Sequence, residues 1–148
     1  SLYNEERQAA KVIKRILDCF KGVNFELVLV NNGSWDQTER IIDTFCKAPR
    51  VKKVSFATNQ GFGGGMLGGM RAARGEYVGF TTGGGQVAPE EILKVFEAAR
   101  KNSGAVCKGK RMTRETIFRR MTSYGYNFLV NTLVLMNIEA VRIPYLVF

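Results

Sequence analysis

The stretch from residue 59 to 91 constrains the fold more than any other part of the sequence, because glycine is concentrated in it. Eleven of the chain's sixteen glycines lie between Gly61 and Gly85. Glycine costs conformational entropy on folding, so this density indicates close approach of the backbone to a ligand or to another backbone segment. The order of residues predicts a loop, a glycine-rich helix, a buried strand at 76–81, and a second loop at 82–86 that leads into another helix.

Helices and strands alternate along the rest of the chain, each indicated by its hydrophobic period. Apolar residues at helical spacing predict a first helix that Asn4 caps and Gly22 ends. Ser34 and Gln37 are spaced as a capping box for the second helix. Strands are predicted at residues 25–30, 51–57, 76–81 and 105–108. Besides the glycine-rich helix, helices are predicted at residues 5–20, 34–47, 89–102 and 115–137.

This alternation predicts an α/β fold with a mostly parallel, open sheet and helices on both faces. Such folds normally begin with a strand, whereas here no strand precedes the first helix. Two alternatives stay open: a first strand was lost or trimmed, or the sheet is built without it. No internal repeat or linker is present, so one domain over residues 1–148 is expected. The strand at 76–81 would bring residues 82–86 to the carboxyl edge of the sheet, where ligands bind in such folds.

The composition excludes several kinds of site. The chain has no histidine, which rules out a Ser-His-Asp triad, a Cys-His pair and a histidine-ligated zinc ion. The three cysteines lie in apolar runs without metal-ligand spacing, which predicts buried thiols in a reducing compartment. No apolar run is long enough to span a bilayer, and no signal peptide is visible.

Positive charge is concentrated at the carboxyl end of the chain. The net charge is +9, and from Lys101 onward eight basic residues stand against two acidic ones, a local charge of +6. A basic end predicts a phosphate-rich partner, which could be a lipid phosphate, a nucleotide or a nucleic acid. Nucleic acid is disfavoured, because the sequence lacks the aromatic sheet signature of RNA-binding domains.

Two common nucleotide-binding patterns are incomplete here. Gly63, Gly65 and Gly68 match GxGxxG, but they follow a later strand, and no acidic residue lies about 20 positions further on. Residues 104–111 resemble a phosphate loop, but Arg111 stands where a Ser or Thr would hold magnesium. Neither pattern supports a dehydrogenase or a P-loop enzyme.

Six segments in fixed order form a more specific signal. They are Tyr3–Glu6, VLVNNGSWDQT at 28–38, the stretch from Asn59 through Gly61 and Gly63 to Val78, Gln86–Glu91, Gly109–Arg111, and a helix with Arg119, Ser123 and Asn127. Together they resemble the family 2 glycosyltransferases over residues 1 to about 138. The resemblance is closest to the polyprenyl-phosphate (dolichyl-phosphate) mannosyl and glucosyl transferases.

The resemblance implies a nucleotide-diphospho-sugar transferase (Rossmann-like) fold with a nucleotide-sugar site in residues 1–110. Tyr3 and Glu5 would lie at the nucleotide, Asn32 would face the base or ribose, and Asp36 would support that loop. The full set of residues expected at this site is Tyr3, Glu5, Asn32, Asp36, Gly63, Thr82, Gly84 and Gln86. Asn32 and Asp36 also have an ordinary explanation, because Asn and Asp are common in turns.

The sequence departs from the family pattern at residues 82–86. The family has Asp-x-Asp-x-Gln there, which holds Mg²⁺ or Mn²⁺ on the diphosphate, whereas this chain reads Thr82-Gly83-Gly84-Gly85-Gln86. Hard divalent cations prefer charged oxygen ligands, which an amide and a hydroxyl do not replace. The cofactor expected of the family thus lacks its ligands. Either the enzyme is inactive or weak, or Lys/Arg side chains and loop amides neutralise the phosphates instead.

The carboxyl segment, residues 111–148, resembles the acceptor side of the family. Arg119, Ser123 and Asn127 are four residues apart and share one helix face. The resemblance implies that Arg111, Arg119 and Ser123 grip the phosphate of a polyprenyl-phosphate acceptor; the alternative is a solvated basic face. The apolar run at 128–138 suits an interfacial helix on an anionic membrane, or a core helix.

The function implied by the resemblance is inverting transfer of a hexose from a GDP- or UDP-sugar to a polyprenyl phosphate. The protein would be peripheral on the cytoplasmic face of the membrane. A phosphate acceptor is already ionised near neutral pH and needs little help from a general base, so no catalytic residue is assigned. The alternative is a non-catalytic or weakly active relative that has lost its metal site and at most binds nucleotide.

Overall fold

A computed structural model describes residues 1–102, 104, 106–110 and 138–142. The helices are α1 (Ala9–Cys19), α2 (Thr38–Phe45), α3 (Gly61–Ala72) and α4 (Pro89–Lys101). The strands are β1 (Leu27–Asn32), β2 (Val51–Phe56), β3 (Val106–Lys110) and β4 (Ile138–Arg142). The predicted helix at 115–137 lies outside the described residues. In the described segments, no helix has the length and apolar character needed to cross a bilayer.

The strands pair in parallel, as predicted. β1 pairs with β2 in a register that runs from Leu27 opposite Val51 to Asn32 opposite Phe56, and β3 pairs with β4. On the other edge of β1, Leu2 forms a parallel bridge: its N–H donates to the Val30 carbonyl at 2.8 Å, and its carbonyl accepts from the Asn32 N–H at 2.9 Å. Leu2 therefore occupies the position of a neighbouring strand at the carboxyl end of β1.

Helices cover both faces of the β1–β2 pair, which confirms that part of the prediction. The side chain of Leu29 belongs to a buried cluster with Ile13 of α1 and Ile42 of α2. The next side chain, Val30, faces α3, where a Cβ on Gly69 would lie 2.8 Å from its Cγ2 atom. Because successive side chains of a strand point to opposite faces, α1 and α2 pack on one face and α3 on the other.

Close packing of α3 explains part of the glycine density. A Cβ on Gly65 would lie 2.9 Å from the Asn32 Nδ2 atom, and a Cβ on Gly68 would overlap the ring of Phe56. These glycines therefore let the helix backbone approach β1 and β2 closely. The glycine density was predicted to reflect close approach either to a ligand or to another backbone segment. For this helix, the second explanation applies.

The prediction of a buried strand at 76–81 is wrong. This segment forms no strand, and Tyr77, Val78 and Phe80 are 38%, 43% and 50% exposed. A strand needs a neighbour to complete its ladder of hydrogen bonds. In the described part of the chain, the backbone beside this segment is that of Ser1, which bonds to the Thr81 carbonyl at 3.4 Å and to the Gly83 N–H at 2.9 Å.

Candidate functional site

Side chains of two loops bond to each other's backbone near the end of β1. The Asn4 N–H donates to the Ser34 hydroxyl at 3.1 Å, and the Trp35 N–H donates to the Asn4 side-chain oxygen at 3.1 Å. The Glu5 N–H donates to the Thr38 hydroxyl at 2.8 Å. These bonds hold Asn4 in the left-handed region with φ at 53°, which asparagine tolerates better than most residues. The first two of the six ordered segments, Tyr3–Glu6 and residues 28–38, are therefore held together by these hydrogen bonds.

This pairing corrects both predicted helix caps. α1 begins at Ala9 rather than at residue 5, so Asn4 does not cap it. α2 begins at Thr38 with Gln37 at the N-cap position, and the Thr38 N–H donates to Asp36 Oδ1 at 2.9 Å, so Ser34 does not cap this helix. Asn4 and Ser34 are suitable capping residues, but each bonds to the other loop, about 30 positions away, instead of capping its own helix.

Asp36 supports the loop between β1 and α2. Its second carboxylate oxygen accepts from the Glu6 N–H at 3.1 Å. Desolvation acts to raise the pKa of Asp36, but hydrogen bonds from Thr38 and from the Glu6 backbone outweigh it, so the pKa lies below its ordinary value. Asp36 lines a depression of about 330 Å³ beside the Asn4–Gln8 loop.

We expect Asp36→Asn to lower the free energy of unfolding by about 1 kcal/mol at pH 7, because an amide oxygen keeps one of the two backbone bonds. The folded-state pKa of Asp36 is depressed, so its stabilisation is present above the unfolded value of about 3.9 and is lost as pH falls through the folded value. Urea denaturation at pH 7 and pH 3 measures this. The difference between the proteins should be smaller at pH 3 than at pH 7, and the surface variant Asp18→Asn should match wild type at both. Equal loss at both pH values would contradict the assignment.

The amide of Asn32 is fully engaged in holding the loop before α3. Asn32 is 4% exposed. Its Nδ2 donates to Asn59 Oδ1 at 3.1 Å and to the Gly61 carbonyl at 3.0 Å, and its Oδ1 accepts from the Gln60 N–H at 3.0 Å. Both donor hydrogens therefore have partners within the chain. The resemblance implies that Asn32 faces the base or ribose, whereas in the structure its amide binds the loop before α3.

We expect Asn32→Asp to lower the free energy of unfolding by about 1–3 kcal/mol, because a carboxylate cannot donate to Asn59 or Gly61 and leaves a buried polar group unpaired. Asn59→Asp is the matched control. Asn59 Oδ1 only accepts, from Asn32 and from the Gly61 N–H at 2.7 Å, so a carboxylate preserves both bonds. Chemical denaturation should find the control near wild type. Equal stability of both variants would contradict the donor role of Asn32.

A cleft of about 440 Å³ opens at the carboxyl end of β1 and the start of α3. We call it the central cleft; its lining is Ser1, Tyr3, Glu5, Asn32, Asn59, Gly61, Phe62, Thr82, Gly83, Gly84 and Gln86. It brings together six of the eight residues predicted for the nucleotide-sugar site, namely Tyr3, Glu5, Asn32, Thr82, Gly84 and Gln86. Gly63 and Asp36 lie outside this lining, and a Cβ on Gly63 would meet no atom within 4 Å.

The loop at 82–86 lies along this cleft although the strand predicted before it does not form. The Thr82 hydroxyl bonds to the Gln86 side-chain oxygen at 3.1 Å. Gly83 is buried, and a Cβ there would lie 2.6 Å from the Leu2 side chain. The loop is therefore fixed by the segment at Ser1–Leu2 on one side and leaves Thr82, Gly84 and Gln86 along the cleft.

The residues present do not fit a Mg²⁺ or Mn²⁺ site. Among the described residues, Glu5 supplies the one carboxylate in the lining of the central cleft. Across the described residues, no group of three or more Asp, Glu, Cys or His side chains could hold a metal ion. A divalent cation on a diphosphate takes charged oxygen ligands from the protein, and this set supplies too few. The described residues of the lining also include no Lys or Arg side chain.

Sequence reasoning missed two aspects of this site. Asn59 was noted only as part of a motif, whereas its side chain bridges Asn32 and Gly61. Phe62 lines the central cleft and is 55% exposed, and its position between two glycines was the only signal. The predicted acceptor residues Arg111, Arg119 and Ser123 lie outside the described residues and stay predictions.

The family model of glycosyl transferase family 2 matches residues 1–145. The chain belongs to this family. Its similarity extends to a human dolichyl-phosphate beta-glucosyltransferase, 25% identical over 86% of this chain and 46% of the relative. A dolichol-phosphate mannosyltransferase of Pyrococcus furiosus is 26% identical over 96% of this chain and 42% of the relative. An undecaprenyl-phosphate 4-deoxy-4-formamido-L-arabinose transferase of Edwardsiella ictaluri is 29% identical over 87% of this chain and 41% of the relative.

A solved structure supports the fold. The crystal structure of S. aureus TarS 1–349 matches with a TM-score of 0.51 and 22% identity, over 78% of this family 2 chain and 36% of the TarS chain. The chain spans less than half the length of the curated relatives named above. The comparison therefore supports an α/β nucleotide-sugar transferase fold.

Proposed function

We propose that this family 2 glycosyltransferase moves a sugar from a nucleotide sugar to a polyprenyl phosphate. The observation that carries the proposal is the central cleft, which is lined by Tyr3, Glu5, Thr82 and Gln86. The named relatives, which act on dolichyl, dolichol and undecaprenyl phosphates, favour a lipid phosphate as acceptor. We further propose that the donor is a GDP- or UDP-hexose and that the protein works peripherally, at an anionic, cytoplasmic membrane face.

The chemistry is a single displacement at the anomeric carbon. An oxygen of the acceptor phosphate forms a bond to that carbon, and the bond from the carbon to the diphosphate oxygen breaks. The nucleoside diphosphate leaves with the electron pair, and the configuration inverts because attack comes from the opposite face. The acceptor is already ionised at neutral pH, so the absence of histidine is compatible with this step.

A non-catalytic relative is the second candidate, favoured by the lining of the cleft. Charge on the leaving diphosphate normally needs several kcal/mol of electrostatic stabilisation. In this cleft the described groups available for that are the backbone amides of the loop at 82–86, since neither a carboxylate pair nor a basic side chain lines it. Such a protein would bind nucleotide weakly and would not turn over.

A transfer assay separates the two candidates. The protein is incubated with labelled GDP-mannose or UDP-glucose and a short polyprenyl phosphate in vesicles, with and without Mn²⁺. We expect lipid-linked label if the protein is an enzyme. Nucleotide binding without any lipid-linked product under either condition would favour the non-catalytic relative, and absence of both would remove the proposal.

A further inference from the structure

A pair of half-exposed phenylalanine rings lies at the central cleft. Phe62 lines the cleft and is 55% exposed, and Phe80 is 50% exposed. Their ring centroids are 6.2 Å apart with an interplanar angle of 68°, an edge-to-face contact. One ring supports the other, and about half of the Phe62 side chain stays exposed at the cleft. An apolar surface in that position favours a flat apolar ligand group.

The backbone before Phe62 is held firmly. The Gly61 N–H donates to Asn59 Oδ1 at 2.7 Å, and the Gly61 carbonyl accepts from Asn32 Nδ2 at 3.0 Å. Asn32 itself is buried at the end of β1. Phe62 is the second residue of α3 and directly follows this fixed point, so its ring is positioned before any ligand arrives, which lowers the ordering cost of binding.

We propose that Phe62 is the stacking face for the base of a bound nucleotide, and this rests on the proposed function. The cleft has a second half-exposed aromatic ring, Tyr3, which is 43% exposed. Among the described residues of the lining there is no Lys or Arg side chain, so in this part of the cleft contacts with the base carry the larger share of the affinity. Stacking on an aromatic ring accepts any base, so Phe62 contributes affinity for both GDP and UDP.

Binding of GDP, UDP and inorganic pyrophosphate to wild type, Phe62→Ala and Phe62→Tyr tests this. Leu67→Ala is the matched control, because Leu67 lies on the same helix, is 48% exposed and is not part of the cleft lining. We expect Phe62→Ala to weaken GDP and UDP about tenfold, equivalent to about 1.4 kcal/mol, and to leave pyrophosphate unchanged. Phe62→Tyr and Leu67→Ala should bind like wild type. Saturation-transfer NMR should show strong contacts at the base protons that weaken in Phe62→Ala.

Two results would overturn the inference while the proposed function stands: unchanged GDP and UDP binding in Phe62→Ala, or an equal loss for pyrophosphate, which would indicate a distorted loop. Thermal unfolding of each variant checks that the fold is kept. If wild type binds neither GDP nor UDP at millimolar concentration, the proposed function itself fails, and the role of Phe62 fails with it. The three results are distinguishable within one titration series.

Discussion

Gly33→Ala is expected to lower the free energy of unfolding by about 3–5 kcal/mol, since left-handed backbone in a non-glycine residue and overpacking each cost about 1–3 kcal/mol. Gly33 has a φ of 74°. An added Cβ would lie 2.5 Å from the Asn59 backbone nitrogen and closer still to the Thr58 carbonyl carbon. Backbone atoms cannot swing aside as a side chain can. The loss is a large share of the about 5–15 kcal/mol that stabilises a typical domain.

Gly63→Ala is the control, and it should change stability in the opposite direction. Gly63 lies within α3, its φ is not positive, and a Cβ there would meet no atom within 4 Å. Alanine in a helix is favoured over glycine by about 0.5–1 kcal/mol. Urea denaturation of both variants gives the comparison. Similar stability of Gly33→Ala and wild type would mean that the turn after β1 does not pass against the loop at Thr58–Asn59.

The parallel β1–β2 unit with helices on both faces could be predicted from local pattern. Leu29 and Val30 are adjacent apolar residues of a strand buried on both sides, and such runs are typical of parallel sheets. Leu29 packs against α1 and α2 on one face of β1, and Val30 packs against α3 on the other. This arrangement follows from the period of two in a strand. Local sequence was sufficient because each of these elements carries its own periodicity.

The segment at 76–81 shows where local pattern fails. Tyr77, Val78 and Phe80 all favour strands, but a strand also needs a partner, and local sequence does not show one. The same limit applies to the caps. Asn4 and Ser34 are good capping residues, yet they bond across loops 30 positions apart. The absence of the strand and the loss of both caps therefore depend on partners that are distant in the sequence.

The residues that line the candidate site could largely be predicted from the sequence, but the direction of their hydrogen bonds could not. The ordered segments indicated Tyr3, Glu5 and Gln86 together, and the cleft contains all three. Nothing in the sequence showed that Asn32 would direct both amide hydrogens to the loop at 59–61. For Phe62, the glycines on either side were the only sign that it would lie in the cleft. Such orientations depend on the packing of α3 against β1, which arises only in the folded chain.

Thr82→Asp/Gly84→Asp is expected to make nucleotide binding depend on a divalent cation. Two carboxylates on the cleft would supply the charged oxygen ligands that the wild-type lining lacks, and a bound cation would neutralise the diphosphate. We expect Mn²⁺ to raise the affinity for GDP or UDP about tenfold or more in the double variant, because a cation between carboxylates and a diphosphate contributes several kcal/mol. Wild type should respond less than about twofold. Calorimetric titrations with and without Mn²⁺ measure the difference.

The loop can accept these changes with little rearrangement. Gly84 does not have a positive φ, and a Cβ there would press only on the end of the Gln86 side chain, 2.5 Å away, which can rotate. Thr82→Asn/Gly84→Asn is the matched control, since it has the same shape without the charge and should not respond to Mn²⁺. If Mn²⁺ raised the nucleotide affinity of wild type or of the Asn control, the conclusion that this lining does not hold a divalent cation would be wrong. Sugar transfer that appears only in the Asp variant would identify the wild-type chain as the non-catalytic relative, because the fold and acceptor side would then be competent and only the cation ligands missing.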